Sequence, residues 1–484
     1  AAEDNPSCKT ILLNKTNHHM YKNVIRILAI LAVAYLIPTA YLNYIEPVEH
    51  WNWEEINVDE ISFPENFTWG VASAAHQVEG NHTSNNWADW ENQVDEQGVP
   101  RIARGEKCGI ACDHWNRYPE DIKLMNDLGV SSYRFSVSWS KIMPEQGVVD
   151  TAALQHYVDV CDSLLAAGIQ PMVTLHHFCH PTWWEEKGAF EKEENIADFV
   201  EFSEVVFNAL KDRATHWCTL NEPAVFVIAA YFNGHFPPGK KDPELAALVL
   251  KNMYLAHVKV YEKLKNVPGG DRAHIGIVKN MHQIDPMNDW NLFDRLLSRT
   301  VNQGFNGSFI STFTKGKYKF SFPTLVNLEA DVPNAPYSLD FVGLNYYSHN
   351  AMDFSLDLDE ALKTRMYPGE KETDMEYTMY PEGFYRAIKE ISVLNQPIII
   401  TENGVADKDD HLRGEFIKKY LYAVSKAIED GYDVRGYHYW SLMDNFEWDL
   451  GYDERFGLYE VNFETQERTL REGSKEYQRI VNEN

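Results

Sequence analysis

Eight short apolar or β-branched runs recur along most of this chain. Each is followed by a polar turn, and several by a longer stretch of helical periodicity. The runs are residues 69–72 (WGVA), 133–137 (YRFSV), 171–175 (PMVTL), 216–220 (HWCTL), 275–278 (IGIV), 341–344 (FVGL), 398–401 (IIIT) and 436–440 (GYHYW). Strands alternating with helices pair in parallel, because each crossover helix returns the chain to the same end of the sheet. Residues 152–167 (AALQHYVDVCDSLLAA) illustrate such a helix, with apolar residues at helical spacing and Gly168 as its stop. Eight strand–helix units close into a barrel, and the chain of 484 residues is long enough to form one. The fold predicted is therefore α/β, a (β/α)8 TIM barrel, as one domain over residues 61–484. A doubly wound open sheet is the alternative. No G-x-G-x-x-G follows the first run, so the nucleotide-binding form of that sheet has no support.

Residues 1–60 read differently. Between Arg26 and Asn43 lie 16 residues without a charge, ILAILAVAYLIPTAYL. A bilayer span takes about 20 mainly apolar residues, so residues 24–42 predict a hydrophobic helix of marginal spanning length. Lys9, Lys15, Lys22 and Arg26 precede it, and Glu46, Glu49, Glu54, Glu55, Asp59 and Glu60 follow. That asymmetry fits a signal anchor with the amino terminus inside and the large domain outside the cytoplasm. Three other readings compete: a cleaved signal peptide, which would release a secreted protein, an interfacial helix, and a helix docked on the domain itself. N-x-S/T sequons at Asn14, Asn66, Asn81 and Asn306 are compatible with a secretory route.

A net charge of −28 argues against nucleic acid, whose phosphates demand a basic surface, and against adsorption to anionic lipid. Six cysteines are too sparse for a disulfide scaffold. Cys108 and Cys112 are close enough to pair, but no second ligand pair at zinc spacing accompanies them.

Polar groups gather at the carboxyl ends of the runs, where barrels build their sites. Gln77 follows the first run, Arg134 lies in the second, and His176 and His177 end the third. Asn221 and Glu222 end the fourth, Asn345, Tyr346 and Tyr347 the sixth, and Glu402 and Asn403 the seventh. Trp440 ends the eighth, with Asp444, Glu447 and Trp448 beyond it. Glu222, in T-L-N-E-P, and Glu402, in I-I-I-T-E-N-G, hold matching positions after apolar runs. Two carboxyls facing one cavity are what glycoside hydrolysis requires. Each Glu taken singly could equally cap a helix. Apolar and aromatic neighbours of Glu222 would raise its pKa and suit it to the acid role, whereas Arg134 and a Tyr hydroxyl would favour an ionised Glu402.

The two carboxylate motifs together resemble glycoside hydrolase family 1, the β-glucosidase and β-galactosidase family. FPENFTWGVASAAHQVEG (63–80), DHWNRY (113–118), YRFSVSW (133–139), GLNYY (343–347), WSLMDNFEW (440–448) and RFGLY (455–459) carry the resemblance further. It spans nearly all of 61–479 and implies a (β/α)8 barrel and a retaining β-glycosidase acting on terminal β-glucosyl, galactosyl or fucosyl groups. By resemblance, Glu222 is the acid/base, Glu402 the nucleophile, and Arg134, Tyr347 and Asn345 its support. Gln77, His177, Asn221, Glu447 and Trp448 bind the sugar, and Trp440 is its platform. No metal or organic cofactor is implied. Members acting on phosphorylated sugars replace the Glu-Trp pair, and Glu447 would repel a phosphate dianion. The sequence departs from the family at Phe178, where many members have Trp, at Cys179 and His180, and in the hydrophobic extension. A catalytically silent sugar-binding membrane protein is the alternative, disfavoured because both carboxylates are present. Transglycosylation and glycolipid substrates, the latter suggested by membrane association through residues 24–42, are left open at this level.

Overall fold

The computed structural model describes residues 6–322, 325–361, 363 and 365–484, with side chains in the first helix described from residue 18 onward. Residues 1–5 of the predicted extension, and the side chain of Asn14, lie outside this set. The chain divides into two compact units. One comprises Ala1–His50, Ile284–Thr300 and Asn350–Tyr367, and the other Trp51–Gln283, Val301–His349 and Pro368–Asn484.

The larger unit contains the barrel. Its strands are β1 (Thr68–Ser73), β2 (Ser132–Ser136), β3 (Gln170–His176), β4 (His216–Asn221), β5 (His274–Asn280), β6 (Phe341–Asn345), β7 (Ile398–Asn403) and β8 (Val434–Trp440). They follow one another around a closed parallel barrel in chain order, and β1 seals it against β8 with Thr68 opposite Gly436 and Ala72 opposite Trp440. Every one of the eight apolar runs lies wholly or almost wholly within a strand. The barrel has no free edge, so its strands are buried nearly throughout, and β2, β6 and β7 have no exposed residue. Met172, Cys218, Val278, Phe341 and Ile399 form a separate apolar cluster, with one residue from each of five strands.

The predicted helix at 152–167 is Thr151–Ala166. The Asp150 carboxylate caps it by accepting from the Ala152 and Ala153 amides, and Gly168 follows in left-handed conformation at φ +78°. The lumen accepts no side chain at Gly70 of β1. A Cβ there would stand 2.3 Å from His438 Cδ2 and 2.8 Å from the Ser132 carbonyl oxygen. Two hairpins, Lys317–Phe322 with Val326–Asp331 and Tyr459–Asn462 with Glu467–Leu470, lie outside the barrel and had no signal in the eight-run pattern.

In the smaller unit, α1 (Pro6–Ile45) is a single 40-residue helix, longer than the 24–42 read from hydropathy. Backbone hydrogen bonding continues through the polar residues before the apolar stretch, since nothing there breaks it. Residues 18–34 are exposed on all sides, whereas Thr39 and Leu42 are buried. The last turns are tied to the segment after β5. The Asn43 amide donates to the Asp289 carbonyl at 2.9 Å, and Arg295 donates to the Glu46 carbonyl at 2.8 Å. His18–Ile45 is long and apolar enough to cross a membrane.

Candidate active site

Glu222 and Glu402 are placed by the chain immediately after β4 and near the end of β7. Glu222 adopts a left-handed backbone, φ 43° and ψ 59°, and Pro223 starts a short helix directly behind it. Its amide donates to the Val278 carbonyl at 3.0 Å, anchoring this strained residue to β5. Both carboxyls are buried, at 6% and 3% exposure.

Their surroundings differ in kind. Glu402 receives a guanidinium and a phenol: Arg134 Nη1 donates to Oε1 at 2.6 Å and Tyr347 Oη–H to Oε2 at 2.8 Å. Arg134 is fully engaged, with Nε donating to Thr174 Oγ1 at 3.1 Å and Nη2 to Asn221 Oδ1 at 2.7 Å. Among the described residues, no cation is bonded to Glu222. Asn345 Nδ2 donates to its Oε1 at 2.8 Å. Burial, followed by the negative charge of Glu402, pushes its pKa up to about 8, against the opposing pull of the Asn345 hydrogen bond.

Asn345 joins the halves of the site. Besides Glu222 it donates to Asn221 Oδ1 at 3.3 Å, and its own Oδ1 accepts from Thr401 Oγ1 at 2.6 Å. The Asn221 amide in turn donates to His177 Nε2 at 2.9 Å. His177 is therefore a neutral ring with its proton on Nδ1, in keeping with a pKa driven well down by burial and then by Arg134. Its ring lies 5.7 Å from Trp440 and 5.8 Å from Trp448. Gln77 Nε2 donates to Glu447 Oε2 at 3.0 Å and to the Phe446 carbonyl at 3.0 Å, and burial raises the Glu447 pKa strongly. His177 Nδ1 and Gln77 Oε1 find no hydrogen-bond partner among the described residues. A buried donor and a buried acceptor left open in one site match what a sugar hydroxyl supplies.

Contacts and chain adjacency thus link all eleven sequence-nominated residues: Gln77, Arg134, His177, Asn221, Glu222, Asn345, Tyr347, Glu402, Trp440, Glu447 and Trp448. Other polar groups at the strand ends point elsewhere. His176 bonds His180 at 3.2 Å, Tyr346 donates to the Tyr380 carbonyl, Asn403 accepts from Tyr437, and Asp444 takes Arg471 and the Gly457 amide. Trp184 is fully buried core, and Trp183 donates to the Met143 carbonyl. Phe178, at φ 62°, packs 5.3 Å from Trp448, and its carbonyl accepts from Asn86 and Trp87. The sequon at Asn306 lies in a buried side chain whose amide donates to the His282 carbonyl, which leaves no room for a glycan.

Thr174, Thr401 and Asn445 were not nominated, yet each holds a nominated side chain. Thr401 could have been found, because it directly precedes Glu402 on an inward-facing strand end. Lys279 was also missed. It is buried on β5 with Nζ 3.8 Å from the centre of the Phe305 ring, and burial lowers its pKa to about 7.

Cys108 and Cys112 carry free thiols that donate to the His76 and Asp444 carbonyls. His76, Glu91 and Cys108 offer ligand atoms within 4.8 Å of one another. The hydrogen bonds do not suit a metal there. Asn85 Oδ1 caps Ala88, so its Nδ2 faces His76 Nδ1, which must accept; the ring proton is then on Nε2, donated to Glu91 at 3.1 Å. A depression of about 380 Å³ at the strand starts, lined by residues such as Thr68, His216, Phe341 and Val434, lies elsewhere. It holds none of the eleven residues.

The family profile described as Glycosyl hydrolase family 1 matches residues 59–484. The chain belongs to glycosyl hydrolase family 1. It is an O-glycosyl hydrolase, and its closed barrel is the fold of its solved family 1 relatives. Beta-glucosidase A of Acetivibrio thermocellus is 33% identical over 455 residues, covering 88% of this chain and all of that protein. Among solved structures, the beta-glycosidase from Pyrococcus horikoshii shares 37% identity with a TM-score of 0.78, covering 87% of this chain and 95% of the other. The family 1 β-glucosidase from Thermotoga maritima gives 31% identity and a TM-score of 0.80, covering 87% and 98%.

Proposed function

We propose that this family 1 hydrolase is a retaining β-glycosidase of the β-glucosidase type, with Glu402 as nucleophile and Glu222 as acid/base. The observation that carries the reading is the asymmetry of the two carboxyls within one hydrogen-bonded site. One is clamped by Arg134 and Tyr347, and the other is buried, without a bonded cation, and keeps its proton near neutral pH. A Glu402 carboxylate oxygen bonds to the anomeric carbon as the C1–O bond to the leaving group breaks, and the leaving-group oxygen takes the Glu222 proton. Water then attacks C1, gives a proton to Glu222, and expels Glu402, returning the sugar in its original β configuration. Arg134, Tyr347 and Asn345 hold the nucleophile and its neighbours. Gln77, His177, Asn221, Glu447 and Trp448 receive the ring hydroxyls, and Trp440 carries its apolar face. The relatives named β-glucosidases support a β-glucosyl group as substrate, with β-galactosyl and β-fucosyl groups as further candidates.

The test is hydrolysis of an aryl β-glucoside by the full chain, with the first-formed product read by proton NMR. The β-anomer is expected first, and an α-anomer would exclude the double displacement. Glu402→Gln should lose about 10⁴-fold or more in turnover with an unchanged circular dichroism spectrum, and near-normal turnover would remove the nucleophile assignment. Added alcohols will show whether the glycosyl-enzyme also passes its sugar to an acceptor. The apolar α1 supports a second element, a membrane tether with the hydrolase domain outside the cytoplasm, from which sugar headgroups of glycolipids could be reached. Comparing rates on a glucosyl lipid and a soluble disaccharide decides that element.

A further inference from the structure

The smaller unit carries apolar surface beyond α1. Trp290, Phe293, Leu296, Phe354 and Leu356 are all exposed, at 61, 50, 46, 41 and 96%. They belong to the segments contributed after β5 and after β6. Phe293 stacks on Phe354 with ring centres 5.1 Å apart, and the Phe354 amide donates to Asp294, so the two segments present their apolar groups together. Soluble proteins seldom leave so contiguous a set of large apolar groups open to water.

The level of this patch along α1 is set by hydrogen bonds. The Leu292 amide donates to Tyr35 Oη at 3.1 Å, Tyr35 Oη–H donates to the Trp290 carbonyl at 3.4 Å, and the Tyr35 and Phe293 rings are 6.3 Å apart. The 24–42 stretch read from hydropathy ends the candidate span at Leu42. At 1.5 Å per residue, Tyr35 then sits about 10 Å inside the hydrocarbon edge. The patch bonded to Tyr35 is therefore drawn to the depth of about 5–10 Å at which interfacial apolar groups settle. Tyr41 and Tyr44, exposed by 61 and 84%, continue the aromatic belt above it.

We infer that Trp290, Phe293, Leu296, Phe354 and Leu356 form a second membrane contact, seated at the boundary of headgroups and acyl chains in the bilayer that α1 spans. This rests on the tether reading. The occupant is lipid because the patch is continuous with the candidate span and bonded to it at a fixed level. The net charge of −28 and the neighbouring Asp289, Asp353 and Asp357 favour a headgroup without net charge over an anionic one. Such a contact holds the unit at a set height instead of leaving it on a free stalk.

The full chain is reconstituted in phosphatidylcholine nanodiscs, with or without lipid brominated at the headgroup end of its acyl chains. Subtracting the fluorescence of Trp290→Phe isolates Trp290 from the other tryptophans. The bromolipid is expected to reduce that difference signal about twofold or more, and the paired change Phe293→Ser, Leu296→Ser should weaken the quenching while α1 stays resistant to alkaline carbonate. If α1 is carbonate-resistant but Trp290 is not quenched, the tether stands and this contact is overturned. Trp290 shielded from both bromolipid and aqueous iodide would mean that protein covers the patch, and also overturns it. If alkaline carbonate removes the chain, both readings fall.

Discussion

Replacing Glu402 by Gln tests whether the two carboxyls share one electrostatic environment. In the native site the Glu222 pKa stands at about 8, raised first by burial and next by the charge of Glu402. Two unit charges at the roughly 5–5.5 Å of a retaining pair, with an effective dielectric of about 20, interact by about 3 kcal/mol. That corresponds to about 2 pKa units. Glu402→Gln removes this repulsion and leaves the Arg134 guanidinium without its carboxylate, which acts in the same direction. Desolvation of Glu222 persists, so its pKa should fall to roughly 6 and not to the value of a free side chain. Carbon-13 NMR of protein labelled at the glutamate carboxyl carbons reads this directly, with Glu222→Gln identifying the resonance. A midpoint within half a unit of the native one would show that burial alone raises Glu222. The shared-site argument would then fail even if both residues proved essential.

Three further outcomes follow from the same geometry. Glu222 must hold its proton to act as an acid, so with its pKa raised to about 8 kcat/KM should decline as pH rises through that value, and a plateau extending well above it would remove the acid assignment. Arg134→Met strips a buried carboxylate of its cation and leaves Asn221 Oδ1 without that donor; a loss of about 3–5 kcal/mol is expected from urea unfolding, with activity falling as well. Gly70→Ala forces a methyl group into contact with His438 and the Ser132 carbonyl, so a cost of at least about 1–3 kcal/mol is expected by the same measurement, and a neutral result would show that the barrel wall yields there.

Much of the barrel was legible because its signal is local. A strand buried on both faces must be apolar over consecutive residues, and eight such runs match eight strands. The site was legible for a related reason: strand ends aim their side chains into one mouth, so ionisable groups directly after apolar runs stand out even when far apart in the chain. That logic also nominated His176, Asn403 and Asp444, whose side chains serve packing and loop closure instead. Local sequence has no way to distinguish a carboxylate facing a cavity from one bonded to backbone amides, as Asp444 is. The first hairpin escaped notice because charged residues such as Lys317, Lys319, Glu329 and Asp331 interrupt its apolar positions, and Thr174 because it lies inside a run and carries no charge.

The amino-acid order by itself therefore determined the repeating strand–helix plan, the nomination of two candidate carboxyls and the apolar character of the amino-terminal helix, since each is written within a few consecutive residues. Only the tertiary structure decided the hydrogen bonds by which Arg134 and Tyr347 hold Glu402, how far burial raises Glu222, and where along α1 the Trp290 segment is bonded. Those depend on desolvation and on distances between groups remote in the chain, which exist only once the barrel has closed and the helix has docked.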